Sequence, residues 1–96
     1  MWDSAQLTQN TAFGVTTVLD MFAEPDAIRA MQDQADEPGS PFADVRSAGF
    51  MVTAPGGHGT EFEWKAPTIE RPEDAAAFVA ARIAEGSDYI KVGCDL

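Results

Sequence analysis

The chain has 96 residues, enough for one small domain, and 45% of them are hydrophobic, which argues against disorder of the whole chain. Sixteen acidic and six basic residues give a net charge of −10, which argues against nucleic acids and anionic membrane surfaces as partners, because phosphate binding needs clustered Lys and Arg. A single cysteine excludes an internal disulfide and a cysteine-based zinc site, and it fits a reducing, cytoplasmic location. No apolar run approaches the ~18 residues of a membrane span.

The first half of the chain predicts a helix, a strand and a second helix. Asp3 and Ser4 can cap a helix that runs to about Ala12. The segment VTTVLDMF, residues 15–22, is rich in β-branched and apolar residues, which is typical of a strand covered on both faces. The segment EPDAIRAMQDQAD, residues 24–36, predicts a helix with Pro25 in its first turn.

The second half predicts a strand, a loop, a helix and a third strand, at residues 48–54, 59–70, 71–86 and 89–92. Alternating helices and strands favour a single α/β domain over residues 1–96, with parallel strands and right-handed crossovers. A three-stranded sheet keeps two open edges, and open edges usually pair with another strand. The chain is therefore either a piece of a larger sheet or a small complete α/β domain.

Three segments could carry chemistry, because functional groups in parallel α/β folds collect at the carboxyl ends of the strands. Asp20 ends the first strand, the PGGHG loop with His58 follows the second, and Lys91 lies in the third. A plain alternative stays open for each: a loop-capping carboxylate, a surface histidine in a turn, and an edge-strand lysine in solvent. The loop also lacks the Gly-Lys-Ser/Thr ending of a phosphate-binding P-loop.

Read in order, the segments AFGVTTVLDM, AGFMVTAPGGHG and RPEDAAAFVAARIAEGSDYIKV resemble the amidohydrolase superfamily, in its imidazolonepropionase- and prolidase-like branch. Members of that family are metal-dependent hydrolases built on a (β/α)8 barrel. The resemblance spans nearly the whole chain. It implies a partial TIM-barrel segment with about three strands and three helices, covering about strands two to four.

The resemblance also implies roles for individual residues. Lys91 corresponds to a lysine that, when carboxylated, bridges two divalent metals, usually zinc, and we expect that modification only in a complete site. His58 would be a catalytic residue that contacts the substrate carbonyl or the developing oxyanion. Gly56, Gly57 and Gly59 would form the loop against the substrate.

Asp20 matches an aspartate of the family's second-strand motif, and we expect it to be structural or to support the metal ligands from behind. Leu19 stands where the family commonly has arginine, so no salt bridge is expected there. The family's other metal ligands belong to strands one, five, six and eight. We therefore expect these 96 residues to hold no metal and to be inactive alone.

The expected parent activity is hydrolysis of an amide- or peptide-type C–N bond in a small-molecule or peptide-like substrate, by metal-activated water. The alternative is a non-catalytic small α/β protein that self-associates through its open sheet edges. Both hypotheses predict a partner for those edges, either further copies in a homo-oligomer or the remainder of the barrel. Neither predicts a nucleic acid or a membrane as the partner.

Overall fold

A computed structural model of the chain describes residues 2–62 and 65–95. It is an α/β structure, as the sequence predicts, and its helices and strands alternate. In chain order the elements are α1 Ser4–Ala12, β1 Thr17–Asp20, α2 Pro25–Asp36, β2 Asp44–Ser47, a 3₁₀ turn at Pro72–Asp74 and α3 Ala75–Ala84. No helix within the described ranges is both long enough and apolar enough to cross a membrane.

Acidic side chains start the first two helices. The Asp3 carboxylate accepts a hydrogen bond from the backbone N–H of Gln6 (2.8 Å), and the Gln6 side chain accepts one from the Asp3 N–H (3.0 Å). This reciprocal capping box satisfies two amides that the helix itself leaves free. In α2 the cap is Glu24, which accepts from the N–H of Ala27 (3.0 Å), with Pro25 in the first turn. Both predicted helix starts are confirmed.

The two strands run parallel, with Val18 opposite Val45. Both valines are buried on the side of the helices, where they form the core with Leu7 of α1 and Ile28 of α2. Side chains alternate between the two faces of a strand, so Leu19 points away from this core, and it is 57% exposed. The helices therefore cover one face of the sheet, and the face that carries Leu19 stays open.

The predicted position of the second strand, residues 48–54, is wrong. The strand covers Asp44–Ser47, where buried Val45 and Ser47 alternate with more exposed charged residues. Alternation of this kind is typical of a half-buried strand, and a search for continuous apolar runs passes over it. Gly49 then adopts φ +63, which ends the extended conformation, while its carbonyl still accepts a hydrogen bond from the Ala23 N–H (3.1 Å) in the segment after β1.

The third predicted strand, residues 89–92, is reduced to one bridge between Val52 and Val92. The bridge is parallel: the N–H of Val52 donates to the Lys91 carbonyl (2.8 Å), and the N–H of Gly93 donates to the Val52 carbonyl (2.7 Å). The described residues thus contain two strands rather than the three predicted, although the direction of the third segment is as expected.

The loop predicted over residues 59–70 has no helix or strand at residues 59–62 or 65–70, while residues 63 and 64 lie outside the described ranges. The N–H of Ile69 donates to the Thr53 carbonyl (2.9 Å). The loop therefore returns to the segment that precedes it before α3 begins.

Helix α3 buries Phe78 and Arg82, whereas Ile83, next to Arg82 in the chain, is exposed. The Arg82 guanidinium lies over the Phe78 ring (4.5 Å to the centroid) and near the Phe50 ring (5.5 Å). It also pairs with Glu85 at 2.7 Å. A buried arginine is tolerated here because aromatic faces and one carboxylate surround it.

Gly49→Ala is expected to destabilise the fold, because Gly49 has φ +63 and an added Cβ would lie 2.7 Å from Ser87 Oγ. That hydroxyl donates to the Ala48 carbonyl (2.8 Å), so moving it breaks a hydrogen bond. We expect a loss of about 2–4 kcal/mol in the free energy of unfolding, from backbone strain and the lost bond together. Urea unfolding followed by circular dichroism measures it.

The control is Gly39→Ala, since Gly39 has φ +77 but no atom within 4 Å of an added Cβ. It should cost only about 1–2 kcal/mol of backbone strain. Equal losses in the two variants would show that the contact with Ser87 is not tight.

Candidate functional site

The candidate site lies at the carboxyl edge of the sheet. Because β1 pairs parallel with β2, the segments that follow these two strands leave in one direction, and the same holds for the segments that follow Val52 and Val92. Asp20 is the last residue of β1, the PGGHG loop follows Val52, and Lys91 precedes Val92. The His58 loop therefore runs alongside the residues after Val92, and the Tyr89 hydroxyl links the third segment to Asp20.

Asp20 is 3% exposed, and its contacts join neighbouring segments of the sheet. Its carboxylate accepts a hydrogen bond from Ser47 Oγ at 2.8 Å, and Ser47 Oγ accepts one from the Gly49 N–H at 2.9 Å. The Asp20 carbonyl accepts from the Ala48 N–H at 3.2 Å. These contacts hold the end of β1 against the end of β2 and against the bend that follows.

Two residues that the sequence reasoning left out complete this corner. The Tyr89 hydroxyl donates to the Asp20 carbonyl (2.7 Å) and lies 3.0 Å from the Arg46 carbonyl oxygen. The Asp88 carboxylate accepts from the Ser47 N–H (2.9 Å). In the sequence these two residues stand as the pair DY directly before the third predicted strand. A half-buried tyrosine usually finds a hydrogen-bond partner for its hydroxyl, and that preference is the signal that could have pointed to this corner.

The pKa of Tyr89 is raised above its ordinary value of 10.0, first by burial and then by the nearby charges of Asp20 and Asp88. Each of these disfavours the tyrosinate anion. Tyr89 is therefore a hydrogen-bond donor at this edge well into the alkaline range.

The PGGHG loop consists of two consecutive turns. The Gly57 N–H donates to the Ala54 carbonyl (2.9 Å), and the Thr60 N–H donates to the Gly57 carbonyl (3.1 Å). Gly56 and Gly59 have φ of +73 and +94, a region that favours glycine. The loop conformation thus depends on the glycines that the sequence analysis singled out.

His58 projects from this loop with 59% of its side chain exposed, and its Nδ1 lies 3.7 Å from Glu61 Oε1. The backbone N–H of His58 donates to Asp95 Oδ2 (3.0 Å), and the N–H of Gly59 donates to Glu61 Oε2 (2.6 Å). Two successive amides therefore bind two different acidic side chains of the same chain, Asp95 and Glu61.

The pKa of Glu61 lies below its ordinary value. The main cause is a hydrogen bond from its own backbone N–H; desolvation is the next largest effect and opposes it, while the Gly59 N–H and the charge of His58 lower the pKa further. Glu61 is therefore an anion at neutral pH and competes for the loop amides with any other anion.

Lys91 is half-buried, and its position within the third segment follows from the pairing of its carbonyl with Val52. Its ammonium makes no ion pair or hydrogen bond with the described residues. The contact that ties its segment to the loop comes from Asp95, four positions further on, rather than from Lys91. The structure thus brings the end of the third segment against the loop of His58 without a bond between Lys91 and His58.

The residues present do not fit a metal centre by themselves. Within residues 2–62 and 65–95 there is no group of three or more His, Cys, Asp or Glu side chains that could hold a metal ion. A zinc site needs three or four protein ligands in fixed geometry. No catalytic step through a metal therefore follows from these residues.

An open cavity of about 610 Å³ lies between the N-terminal end of α1 and the carboxyl end of β1. Its walls are mainly apolar and include Trp2, Phe22 and Phe62, and its polar residues are Gln6 and Asp20. The rings of Phe22 and Phe62 are 5.6 Å apart between centroids and tilted by 58°. No local pattern in the sequence indicates this cavity, because its walls come from separate segments.

No family model, curated protein or solved structure matches this chain. The amidohydrolase resemblance therefore rests on the three sequence motifs, and the activity it implies stays a prediction.

Tyr89 is the only tyrosine in the sequence, so absorbance at 295 nm follows its ionisation alone. We expect the native midpoint to lie above the ordinary value of 10.0, and the midpoint in concentrated urea to return to it. Above the unfolded pKa the folded chain keeps a proton that the unfolded chain loses. The free energy of unfolding should therefore fall as the pH rises beyond about 10.

Tyr89→Phe provides the baseline for this titration, because it removes the ionising group. Coincident native and urea midpoints would contradict the burial of the hydroxyl at the sheet edge.

Proposed function

We propose that the chain is a segment of a metal-dependent amidohydrolase barrel, covering about strands two to four. The parent reaction is hydrolysis of an amide- or peptide-type C–N bond. The observation that carries the proposal is the parallel order of the β-α units, in which the His58 loop and the segment after Val92 leave the same edge and touch. That contact is the 3.0 Å hydrogen bond from the His58 N–H to Asp95.

The proposed role of His58 is supported by its exposure and by its place in a loop at the carboxyl edge. An exposed imidazole there can donate a hydrogen bond to a substrate carbonyl, or stabilise the oxyanion that forms from it. The neighbouring amides of His58 and Gly59 already bind carboxylate oxygens, so this loop suits negative charge.

The proposed role of Lys91 depends on ligands beyond the described residues. In the family, divalent metals, usually zinc, activate water and polarise the scissile carbonyl. Lys91 would be a carboxylated ligand to those metals. Among the described residues, no acidic side chain forms an ion pair with Lys91 that such a ligand would have to break.

The purified 96-residue chain, incubated with zinc and dialysed, is expected to retain no stoichiometric metal and to hydrolyse neither dipeptides nor N-acyl amino acids. Metal analysis by mass spectrometry and an amine-release assay measure these two properties. Tightly bound zinc with turnover would show that the chain carries a complete site. A coding sequence that extends on both sides without an upstream His-x-His and two downstream histidines would overturn the proposed family.

If the flanking strands are present, Lys91→Ala in that longer protein should remove bound metal and activity together. Lys65→Ala is the matched control, because Lys65 is exposed and is the other lysine of the sequence. Equal activity of the two variants would assign Lys91 a structural role.

A second candidate function, non-catalytic self-association, is favoured by the open face of the sheet. Leu19 is 57% and Val92 61% exposed, and β1 pairs with β2 alone among the strands in the described ranges. Unpaired strand edges next to exposed apolar side chains are templates for pairing with another chain.

Size-exclusion chromatography with light scattering tests this second candidate, which predicts a dimer or larger species. Leu19→Lys should shift the chain toward monomer, because it places a charge on the open face. Ile83→Lys is the control, since Ile83 is equally apolar and exposed but lies on α3. A monomeric wild-type chain at the highest soluble concentration would exclude self-association.

A further inference from the structure

We propose that the cavity between α1 and β1 binds a small organic ammonium ion, with the Asp20 carboxylate as its counter-charge and with Trp2, Phe22 and Phe62 as its aromatic walls. This site uses neither the proposed catalytic residue nor the proposed metal ligand of the hydrolase, and it gives Asp20 a role separate from the supporting one expected there. Asp20 lies on the same face of β1 as the core residue Val18, and neither His58 nor Lys91 lines the cavity.

The Asp20 carboxylate is incompletely paired. A carboxylate has two oxygens and about four acceptor positions. Within the described part of the chain, the donor to this carboxylate is Ser47 Oγ, and no basic side chain pairs with it. A charge that is 97% removed from water is costly when it lacks an ion partner. A cation in the adjoining cavity would supply that partner.

The wall of the cavity also favours a cation. Its volume of about 610 Å³ lies within the range of small-molecule sites. Trp2 stands on the side of α1, and the tilted rings of Phe22 and Phe62 stand on the other. The faces of aromatic rings carry partial negative charge, which attracts cations. Alkylated ammonium ions gain most because they are weakly hydrated.

Other ligand classes fit the site less well. An anion would be repelled by Asp20 and by the net charge of −10. A neutral apolar ligand would leave the Asp20 carboxylate without an ion partner. A divalent metal requires several oxygen or nitrogen ligands, and the described residues form no such group. An organic ammonium ion satisfies the carboxylate and the rings together.

The experiment is a calorimetric titration of the 96-residue chain with choline and with 3,3-dimethylbutan-1-ol, which has the same shape without the charge. We expect saturable binding of choline, and binding of the alcohol at least about tenfold weaker. Asp20→Asn should weaken choline binding by about tenfold or more, while its amide oxygen still accepts from Ser47. Asp33→Asn is the matched control, because it removes the same charge from an exposed position on α2 and should bind as the wild type does.

Phe62→Leu is a second variant in case Asp20→Asn fails to fold, since Phe62 is largely exposed and lies outside the core. It keeps an apolar wall but removes a ring, and choline binding should weaken by about threefold to fivefold. The proposal is overturned if choline does not bind saturably or if the alcohol binds equally well. It is also overturned if a folded Asp20→Asn binds as Asp33→Asn does, or if Phe62→Leu leaves the affinity unchanged.

Discussion

The hydrogen bond from Ser47 to the buried carboxylate of Asp20 is the contact on which the carboxyl edge of this fold depends. It links the last residues of the two strands, and Ser47 extends the link through the Gly49 amide to the bend that follows. The backbone N–H of Ser47 also donates a hydrogen bond to the Asp88 carboxylate, so the same residue positions the start of the third segment. A sheet with only four residues in each strand has few ladder bonds, and side-chain bonds at its end therefore carry a larger share of its order.

The helices were predictable because their signals are local. A capping acid, a proline in the first turn and an apolar stripe all act within a few residues, and α1 and α2 begin where those signals stand. The strands were harder to place, because pairing is decided by distant segments. The run at residues 48–54 is apolar enough for a strand, yet the ladder with β1 forms earlier, at Asp44–Ser47, where only every second residue is buried. Gly49, with φ +63, breaks the extended conformation near the start of that apolar run.

The candidate site was predictable as a set of chain positions but not as a set of contacts. The position of Asp20 and His58 after predicted strands, and of Lys91 within the third, follows from the alternating pattern, and the parallel bridge of Val52 with Val92 brings the His58 loop beside the end of the third segment. The residues that organise this edge, Ser47 and Tyr89, act across the sheet, and no spacing in the sequence indicates their partners. The aromatic cavity was hidden for the same reason, since α1, β1 and the later loop each supply part of its wall.

Two acidic side chains already bind the amides of the His58 loop, so any other anion must compete with them for those amides. Asp95 and Glu61 are attached to the same chain as the amides they bind, so each acts as a tethered competitor with an effective concentration of about millimolar or higher. A free carboxylate at micromolar concentration loses that competition unless it gains further contacts, for example with the His58 side chain. An anion that binds these amides must therefore displace one of the two carboxylates and gain contacts with further groups.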